Sequence, residues 1–295
     1  MAKTQDPTDM VFVIACIKGD QLGSNVQLTL DRSTAANTLW NLVVASESQR
    51  NKAYENGAIP ALCLALNKGD AMCKHYCAGC LHFLAMGSRE MKEEIINNKA
   101  VPALAGMLRD GTDNAAKSAA CCIFEMAKDP VLSRQLNKFV DVLLTNLVYL
   151  VEANMQWSVG PAAGSLSLLS KDPACSAKLL EMGAVGLLIG VMKAGMAKLF
   201  EADISPEVES KVVDAVLATE EGRSFAAGTL NNMMAVSAES VCFKVADMLV
   251  QEGGLPPTVR LLTLGGEQCK ANCAGVLFTL AKIPAHVRKV ARSGA

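Results

Sequence analysis

Short sequence motifs recur along this chain at a spacing of 42 residues, and this repetition constrains the fold more than any other feature. Four segments of similar form end at residues 60, 102, 144 and 186, so each step is 42 residues. They are Gly57-Ala58-Ile59-Pro60, Lys99-Ala100-Val101-Pro102, Asp141-Val142-Leu143-Leu144 and Gly183-Ala184-Val185-Gly186. A further match, Gly253-Gly254-Leu255-Pro256, ends 70 residues after the fourth. Self-similarity at such a period is typical of repeat proteins whose units stack on one another.

An alanine-rich motif forms a second ladder, which keeps nearly the same period over its first four copies. It begins with Ala35–Leu42 and Cys77–Leu84, and later copies occupy 119–126, 162–169, 226–233 and 273–280. The central apolar residues of the six copies are Leu39, Leu81, Ile123, Leu166, Leu230 and Leu277. Two independent ladders with one period predict a single repeating structural unit.

Each repeating unit is predicted to contain three helices. A short first helix ends near Gly57, a residue suited to a left-handed helix C-terminus. The second helix has Pro60 or Pro102 in its first turn, where the missing N–H breaks no hydrogen bond. Apolar residues such as Ile59, Leu62 and Leu66 return at helical spacing. The alanine-rich motif forms the third helix, and its small residues allow neighbouring helices to approach closely.

The sequence pattern resembles the armadillo-repeat family, the helical solenoids that include β-catenin and importin-α. The resemblance rests on Gly-Ala-Ile-Pro-x-Leu at residues 57–62 and on the motif Leu-x-Asn-Leu in the third helix, and it covers about residues 10–295. It implies an all-α fold, a right-handed superhelix of about six repeats. The repeats are expected at about 7–46, 47–87, 88–129, 130–171, 172–237 and 238–282, with a partial repeat at 283–295, all within one domain, 1–295.

The fifth repeat is longer than the others, because it contains an insertion at 194–222 with seven acidic and two basic residues. Ser205 and Pro206 resemble a helix N-cap and first turn, so an added helix is expected over Ser205–Leu217. A solvated acidic loop is one interpretation of the insertion. The alternative is a flap that covers the groove or captures a basic partner.

Composition and charge narrow the functional classes. The formal net charge is −1 with no basic block, so nucleic acid is not an expected partner. The 11 cysteines are odd in number and no signal sequence is present, which predicts reduced thiols in the cytoplasm, with the nucleus or cytoskeleton as alternatives. No apolar run is long enough for membrane insertion.

Three cysteines, Cys73, Cys77 and Cys80, have a spacing that resembles an iron–sulfur motif, with His75 and His82 nearby. Other repeats place small residues at the same positions, which favours a role in the helical core. A cysteine-ligated metal enzyme therefore stays only a remote alternative. Phosphate-binding loops, nucleophile elbows and zinc-protease motifs are absent from the sequence, so we expect no enzymatic activity and no cofactor.

The resemblance implies protein or peptide partners, because members of the family line a concave groove with their third helices. In the family, the Asn of Leu-x-Asn-Leu hydrogen-bonds the backbone of an extended peptide. Asn41 and Asn232 match this position, and the other copies carry Phe83, Glu125, Leu168 and Thr279. One turn earlier the first copy has Asn37, where importin-α-like chains carry Trp, so nuclear-import signals are not expected as cargo.

The candidate partner-binding residues are Asn37, Asn41, Phe83, Glu125, Leu168 and Asn232. Phe83 and Leu168 are expected to be exposed, so a helix or apolar segment is as good an occupant of the groove as an extended peptide. An alternative interpretation of Asn41 and Asn232 is that they are ordinary solvated helix residues. The main functional prediction is a non-enzymatic scaffold or adaptor. The alternative is a regulatory or structural module of a larger protein or assembly, joined through the C-terminal edge.

Overall fold

The computed structural model describes residues 8–19, 30–153, 158–193 and 206–294, and for 206–219 it describes the backbone alone. Trp157 and the first part of the acidic insertion lie outside these ranges. The described residues are helical and include no strand. The chain divides into two compact units, Met1–Val142 and Leu143–Ala295.

The first unit contains two complete three-helix repeats, preceded and followed by further helices. In chain order the helices are α1 (Met10–Lys18), α2 (Arg32–Ala45), α3 (Glu47–Glu55), α4 (Ala58–Lys68), α5 (Ala71–Ala85), α6 (Arg89–Asn97), α7 (Ala100–Asp110), α8 (Asp113–Ala127) and α9 (Pro130–Leu136). One turn of 3-10 helix, Asn137–Phe139, and the helix α10 (Val140–Glu152) follow, and the division between the two units falls within α10. The triplets α3 to α5 and α6 to α8 have the predicted order of one short and two longer helices.

The second unit continues the same arrangement. Its helices are α11 (Val159–Leu169), α12 (Pro173–Glu181), α13 (Ala184–Lys193), α14 (Pro206–Ala235), α15 (Glu239–Gln251), α16 (Leu255–Leu264), α17 (Glu267–Ala281) and α18 (Pro284–Arg292). Here the third helices are α11, α14 and α17, and α14 packs against both of the others. The all-α repeat fold predicted from the two ladders is confirmed.

Polar caps explain where the third helices of the first unit begin. The side chains of Asp31, Asp70 and Thr112 each accept a hydrogen bond from the backbone N–H three residues later, at the starts of α2, α5 and α8. Such a cap satisfies one of the donors that an α-helix leaves unpaired at its N-terminus. The third helices therefore start at fixed places in every repeat of this unit.

In four repeats the turn between the first and second helix contains a left-handed residue, whereas in the repeat of α9 and α10 one turn of 3-10 helix takes its place. Gly57, Gly183 and Gly253 occupy this position with φ of 73°, 71° and 73°. In the repeat of α6 and α7 the same position is held by Lys99, at φ 58°, the single non-glycine residue with positive φ in the described chain. A side chain in this conformation is strained, because its Cβ approaches the following carbonyl oxygen.

Replacing Lys99 by glycine is expected to raise the free energy of unfolding by about 1 kcal/mol, since the removed strain exceeds the entropy that glycine adds to the unfolded chain. Urea unfolding followed by circular dichroism measures the change. The control is Gly57→Lys, which places the same strain in the repeat before and should destabilise by a similar amount. A neutral or destabilising Lys99→Gly variant would contradict this explanation.

The central apolar ladder forms the core of both units. Leu39, Leu81, Ile123, Leu166 and Leu230 are completely buried, and Leu277 is buried as well. Because these residues occupy the middle of the third helices, the third helices pack side by side in each unit, with α5 between α2 and α8. Burial of this regular apolar row stabilises each repeat.

Glycines of the third helices receive a side chain from the preceding third helix. The pairs are Trp40 with Gly79, Ser167 with Gly228 and Asn231 with Gly275. In each pair the incoming side chain is the one that directly follows a central ladder residue. A Cβ added to Gly79 would lie 3.1 Å from Trp40 Cε2, closer than an ordinary van der Waals contact. Glycine at this position therefore lets neighbouring third helices pack at the observed separation.

The acidic insertion differs from its prediction. A separate helix over Ser205–Leu217 is wrong, because α14 runs without a break from Pro206 to Ala235 and includes the third-helix motif. Residues 217–221 contain no proline or glycine, so nothing in the sequence stops the helix there. Among the acidic residues with described side chains, Glu220 accepts a hydrogen bond from the Gly266 N–H at 3.2 Å, next to the start of α17.

Candidate functional site

The third-helix face of the first unit, formed by α2, α5 and α8, brings four of the predicted residues together. Asn37 and Asn41 are on α2, Phe83 is on α5 and Glu125 is on α8. Asn41 is exposed and Asn37 is half-buried. Neither asparagine side chain hydrogen-bonds to another described residue. Their amides are therefore available to a partner, and each offers a donor and an acceptor.

Phe83 and Glu125 make contacts that the sequence did not predict. Phe83 is half-buried rather than exposed, because its ring lies 4.9 Å from the ring of His82, centroid to centroid. The Glu125 carboxylate binds Lys128 Nζ at 2.6 Å, and its side chain is only 14% exposed. The charge of Glu125 is thus largely neutralised within the protein. A basic peptide would have to compete with Lys128 for this carboxylate.

A pocket of about 290 Å³ opens on the same face, between α2, α5 and α8. Its lining residues are Trp40, His75, Gly79, His82, Phe83, Asn114, Lys117, Ser118 and Cys121. The Trp40 and His75 rings meet edge to face, with centroids 5.5 Å apart. The pocket thus has an aromatic wall from α2 and α5 and a polar wall from α8. Its volume suits one large side chain of a partner.

Most of these pocket residues were not predicted as functional, because the prediction considered the second residue after each central ladder residue and not the first. Trp40 and His82 each directly follow a central ladder residue, whereas the predicted Asn41 and Phe83 come one residue later. The residue directly after a central ladder residue faces the neighbouring third helix, as the contact of Trp40 with Gly79 shows. Comparing that position between repeats would have identified the aromatic wall.

In the second unit the two predicted residues are arranged differently. Leu168 is half-buried rather than exposed. The Asn232 side-chain nitrogen donates to the Ser167 carbonyl oxygen at 2.8 Å and to Ser170 Oγ at 3.2 Å, and so links α14 to α11. Both N–H groups of Asn232 are therefore engaged within the protein. Although Asn41 and Asn232 match the same family position, only the amide of Asn41 makes no hydrogen bond to another described residue.

Alanine substitution of Asn41 and of Asn232 should change the free energy of unfolding by different amounts. Asn232→Ala is expected to reduce the free energy of unfolding by about 1–2 kcal/mol, because it removes two hydrogen bonds from partly buried acceptors. Asn41→Ala should change it by less than about 0.5 kcal/mol, as usual for an exposed residue without partners. Urea unfolding of both variants provides the comparison. Equal losses would show that Asn41 is also structural.

The three cysteines whose spacing resembles an iron–sulfur motif lie in the core of α5. Cys73 Sγ and Cys77 Sγ are 3.9 Å apart, and Cys80 Sγ is directed to the Ala36 carbonyl oxygen at 3.5 Å. The hydrogen bond with Cys73, together with burial, raises the pKa of the Cys77 thiol, and burial raises that of Cys80. Thiols in the state of Cys77 and Cys80 are poor metal ligands, whereas the hydrogen bond with Cys77 lowers the pKa of Cys73. Within the described part of the chain, no three His, Cys, Asp or Glu residues are grouped to hold a metal ion.

Among the described residues, no single helix is long and apolar enough to cross a membrane. The helices Pro173–Glu181 and Ala184–Lys193 reach the required length and composition only together, across a bend of 88°.

Comparison with known proteins gives structural matches alone. No protein-family model and no curated protein matches the chain. A designed armadillo repeat protein superimposes with a TM-score of 0.67 at 18% identity, over 93% of this chain and 100% of its own. Computationally designed armadillo repeat proteins for modular peptide recognition match with a TM-score of 0.66 at 19% identity, over 93% of this chain and 99% of theirs.

A third match is a designed armadillo repeat protein in complex with the peptide (KR)4. Its TM-score is 0.64 at 18% identity, and the match covers 93% of this chain and 99% of the other. Identities of this size establish a shared fold and leave the ligand of this chain open. With the three-helix repeats and the buried ladder, these matches show that the chain has the armadillo-type repeat fold.

Proposed function

We propose that the chain binds partner proteins on the third-helix face of its first unit, and that it does so without catalysis or a cofactor, as a cytoplasmic scaffold or adaptor. One observation carries the proposal: the exposed amide of Asn41 has no hydrogen-bond partner among the described residues and lies on the same face as the pocket of about 290 Å³. The designed proteins of the same fold that recognise peptides support it.

The face offers two kinds of contact to an extended segment. The amides of Asn37 and Asn41 can pair with peptide groups of the partner backbone, which gives affinity without dependence on sequence. The pocket can hold one side chain of the partner, which adds specificity. Because α2, α5 and α8 are fixed by the buried ladder, the face is formed before the partner arrives, and little ordering entropy opposes binding.

A quantitative affinity capture tests this proposal. The wild-type chain is compared with the double variant Asn41→Ala/Phe83→Glu, which changes the third-helix face, and with Val131→Glu. The latter places a new acid at an apolar residue that is exposed on α9. Asn232 is left unchanged, because its replacement would disturb packing. We expect the double variant to lose a small set of proteins that the control retains. Equal capture by both would contradict the proposal.

A second candidate function is assembly through α17. Phe278 directly follows the ladder residue Leu277, as Trp40 follows Leu39 and Asn231 follows Leu230, but it is 62% exposed. An apolar ring at a position that elsewhere packs against a neighbouring helix suits a contact with another protein. The variant Phe278→Ser should abolish any concentration-dependent association seen by analytical ultracentrifugation. Association that is unaffected by this change would exclude Phe278 as the contact.

A further inference from the structure

Two of the third helices carry a pair of cysteines at the same positions. Cys73 and Cys77 lie in the first two turns of α5, and Cys269 and Cys273 lie in the first two turns of α17. The first cysteine of each pair precedes the central ladder residue of its helix by eight positions. All four are buried, with at most 2% of their surface exposed. The other four third helices have alanine at the second position, so packing of the repeat does not require cysteine there.

The two sulfur atoms of each pair interact. Cys73 Sγ and Cys77 Sγ are 3.9 Å apart, and a hydrogen bond also joins the thiols of Cys269 and Cys273. In both pairs this bond lowers the pKa of the first cysteine more than burial raises it. The same bond, together with burial, raises the pKa of the second cysteine. The second sulfur therefore keeps its proton and donates it to the first, so that one proton lies between two sulfurs.

A glycine next to the first sulfur is also common to the two pairs. Gly69 and Gly265 each stand four residues before the first cysteine and end the second helix of their repeat. A Cβ added to Gly69 would lie 2.6 Å from Cys73 Sγ, and a Cβ added to Gly265 would lie 2.9 Å from Cys269 Sγ. Glycine thus keeps space beside each first sulfur. Because helix ends open more readily than helix centres, the first turn gives solutes a path to this sulfur.

The separation of the sulfurs suits a bridging ion better than a disulfide. A disulfide requires the sulfurs at about 2.05 Å and the Cβ atoms at about 3.5–4.5 Å, whereas residues four apart on a helix have their Cβ atoms about 5–6 Å apart. Two metal–sulfur bonds of about 2.3 Å each can span the 3.9 Å between Cys73 Sγ and Cys77 Sγ. The helix therefore stays intact around an ion, and a disulfide would distort it.

The number of ligands and their softness select the ion. Structural zinc takes four ligands, and in the part of the chain that the structure describes no three His, Cys, Asp or Glu residues are grouped to hold a metal. Thiolates favour monovalent copper, which is stable with two sulfur ligands. We infer that the pair Cys73/Cys77 and the pair Cys269/Cys273 are each a two-coordinate binding site for a soft monovalent cation such as Cu(I).

Binding exchanges thiol protons for the ion without any change of oxidation state. The more acidic first sulfur binds the cation, and the second sulfur, a poor ligand by itself, loses its proton to solvent when it coordinates. Two sulfur–metal bonds form and two sulfur–hydrogen bonds are lost where both thiols start protonated. The ion links two turns of one helix and takes part in no reaction, so the partner binding proposed above does not depend on it.

Anaerobic titration of the reduced chain with Cu(I), in competition with the chelator bathocuproine disulfonate, measures how many ions are bound. We expect about two ions per chain, one for each pair. The variants Cys73→Ala/Cys77→Ala and Cys269→Ala/Cys273→Ala should each retain about one. Alanine already occupies both equivalent positions of α8, so these variants should fold, and circular dichroism checks their helix content.

The matched control is Cys16→Ala/Cys175→Ala, which removes two buried cysteines that belong to separate helices. This control should still bind about two ions. Hydrogen exchange in the first turns of α5 and α17 should also slow when Cu(I) is added, because the ion ties the first turn to the second. Equal losses of copper from the control and from the pair variants would overturn the inference, as would a wild-type chain that binds no copper in competition with the chelator.

Discussion

Leu81→Ala is expected to lower the free energy of unfolding by about 3 kcal/mol, because it removes a completely buried side chain at the centre of the ladder. Leu81 lies in the middle of α5, which packs against both α2 and α8. Because α5 is held between α2 and α8, the cavity that the substitution leaves cannot collapse fully. The cost therefore includes both the lost burial and the lost contacts around the void.

Leu64→Ala is the matched control, since Leu64 belongs to the adjacent helix α4 and is 40% exposed. The same atoms are removed, but the change should cost less than about 1 kcal/mol. A chain of two units need not unfold in one step. Hydrogen exchange of peptides from α5 should therefore be measured in addition to the urea transition. Similar losses for the two variants would contradict a core built on the central ladder.

Gly79→Val is expected to destabilise the first unit by about 2–3 kcal/mol, because valine would push the Trp40 ring away from α5. The contact is already tight for a single added carbon, at 3.1 Å from Cε2 and 3.2 Å from Nε1. The indole also packs against two neighbouring rings of α5, His75 and Tyr76, with centroids 5.5 Å and 5.7 Å away. It cannot move without disturbing the pocket wall.

Gly106→Val isolates this packing effect from helix propensity. Gly106 lies within α7, and a Cβ added there would meet no atom within 4 Å. Valine is a slightly better helix former than glycine, so this variant should be neutral or a few tenths of a kcal/mol more stable. Near-ultraviolet circular dichroism of Trp40 should change in Gly79→Val alone. If both variants were equally stable, the close approach of α2 and α5 would not depend on Gly79.

The repeat fold could be predicted from sequence because its signals are local and occur many times. Gly57, Gly183 and Gly253 mark the same left-handed turn, and the ladder from Leu39 to Leu277 marks the middle of every third helix. A single copy of such a pattern would be weak, but repetition at one period makes chance agreement improbable. The added helix was misjudged because nothing ends the helix after its start signal at Ser205 and Pro206, and α14 continues through Gly222 and Gly228 to Ala235.

The candidate site was less predictable, because it depends on contacts between repeats. Asn41 and Asn232 have the same sequence surroundings, but Asn232 reaches Ser167 and Ser170 on α11, which lie more than 60 residues earlier. Likewise, the half-burial of Phe83 comes from its packing on His82 and into the pocket wall. Periodicity identifies which residues share a face, and the side chains of adjacent repeats decide which of them are free.

Photo-crosslinking tests most directly whether the third-helix face of the first unit is the binding surface. Benzoylphenylalanine is introduced at residue 41, on the face, and in a separate protein at the exposed Val131 position of α9. The proteins that the wild-type chain retains in the affinity capture are added, and the covalent products are identified. We predict that residue 41 crosslinks to these partners and that residue 131 does not. Crosslinking from residue 131 alone would place the binding surface elsewhere and contradict the proposed function.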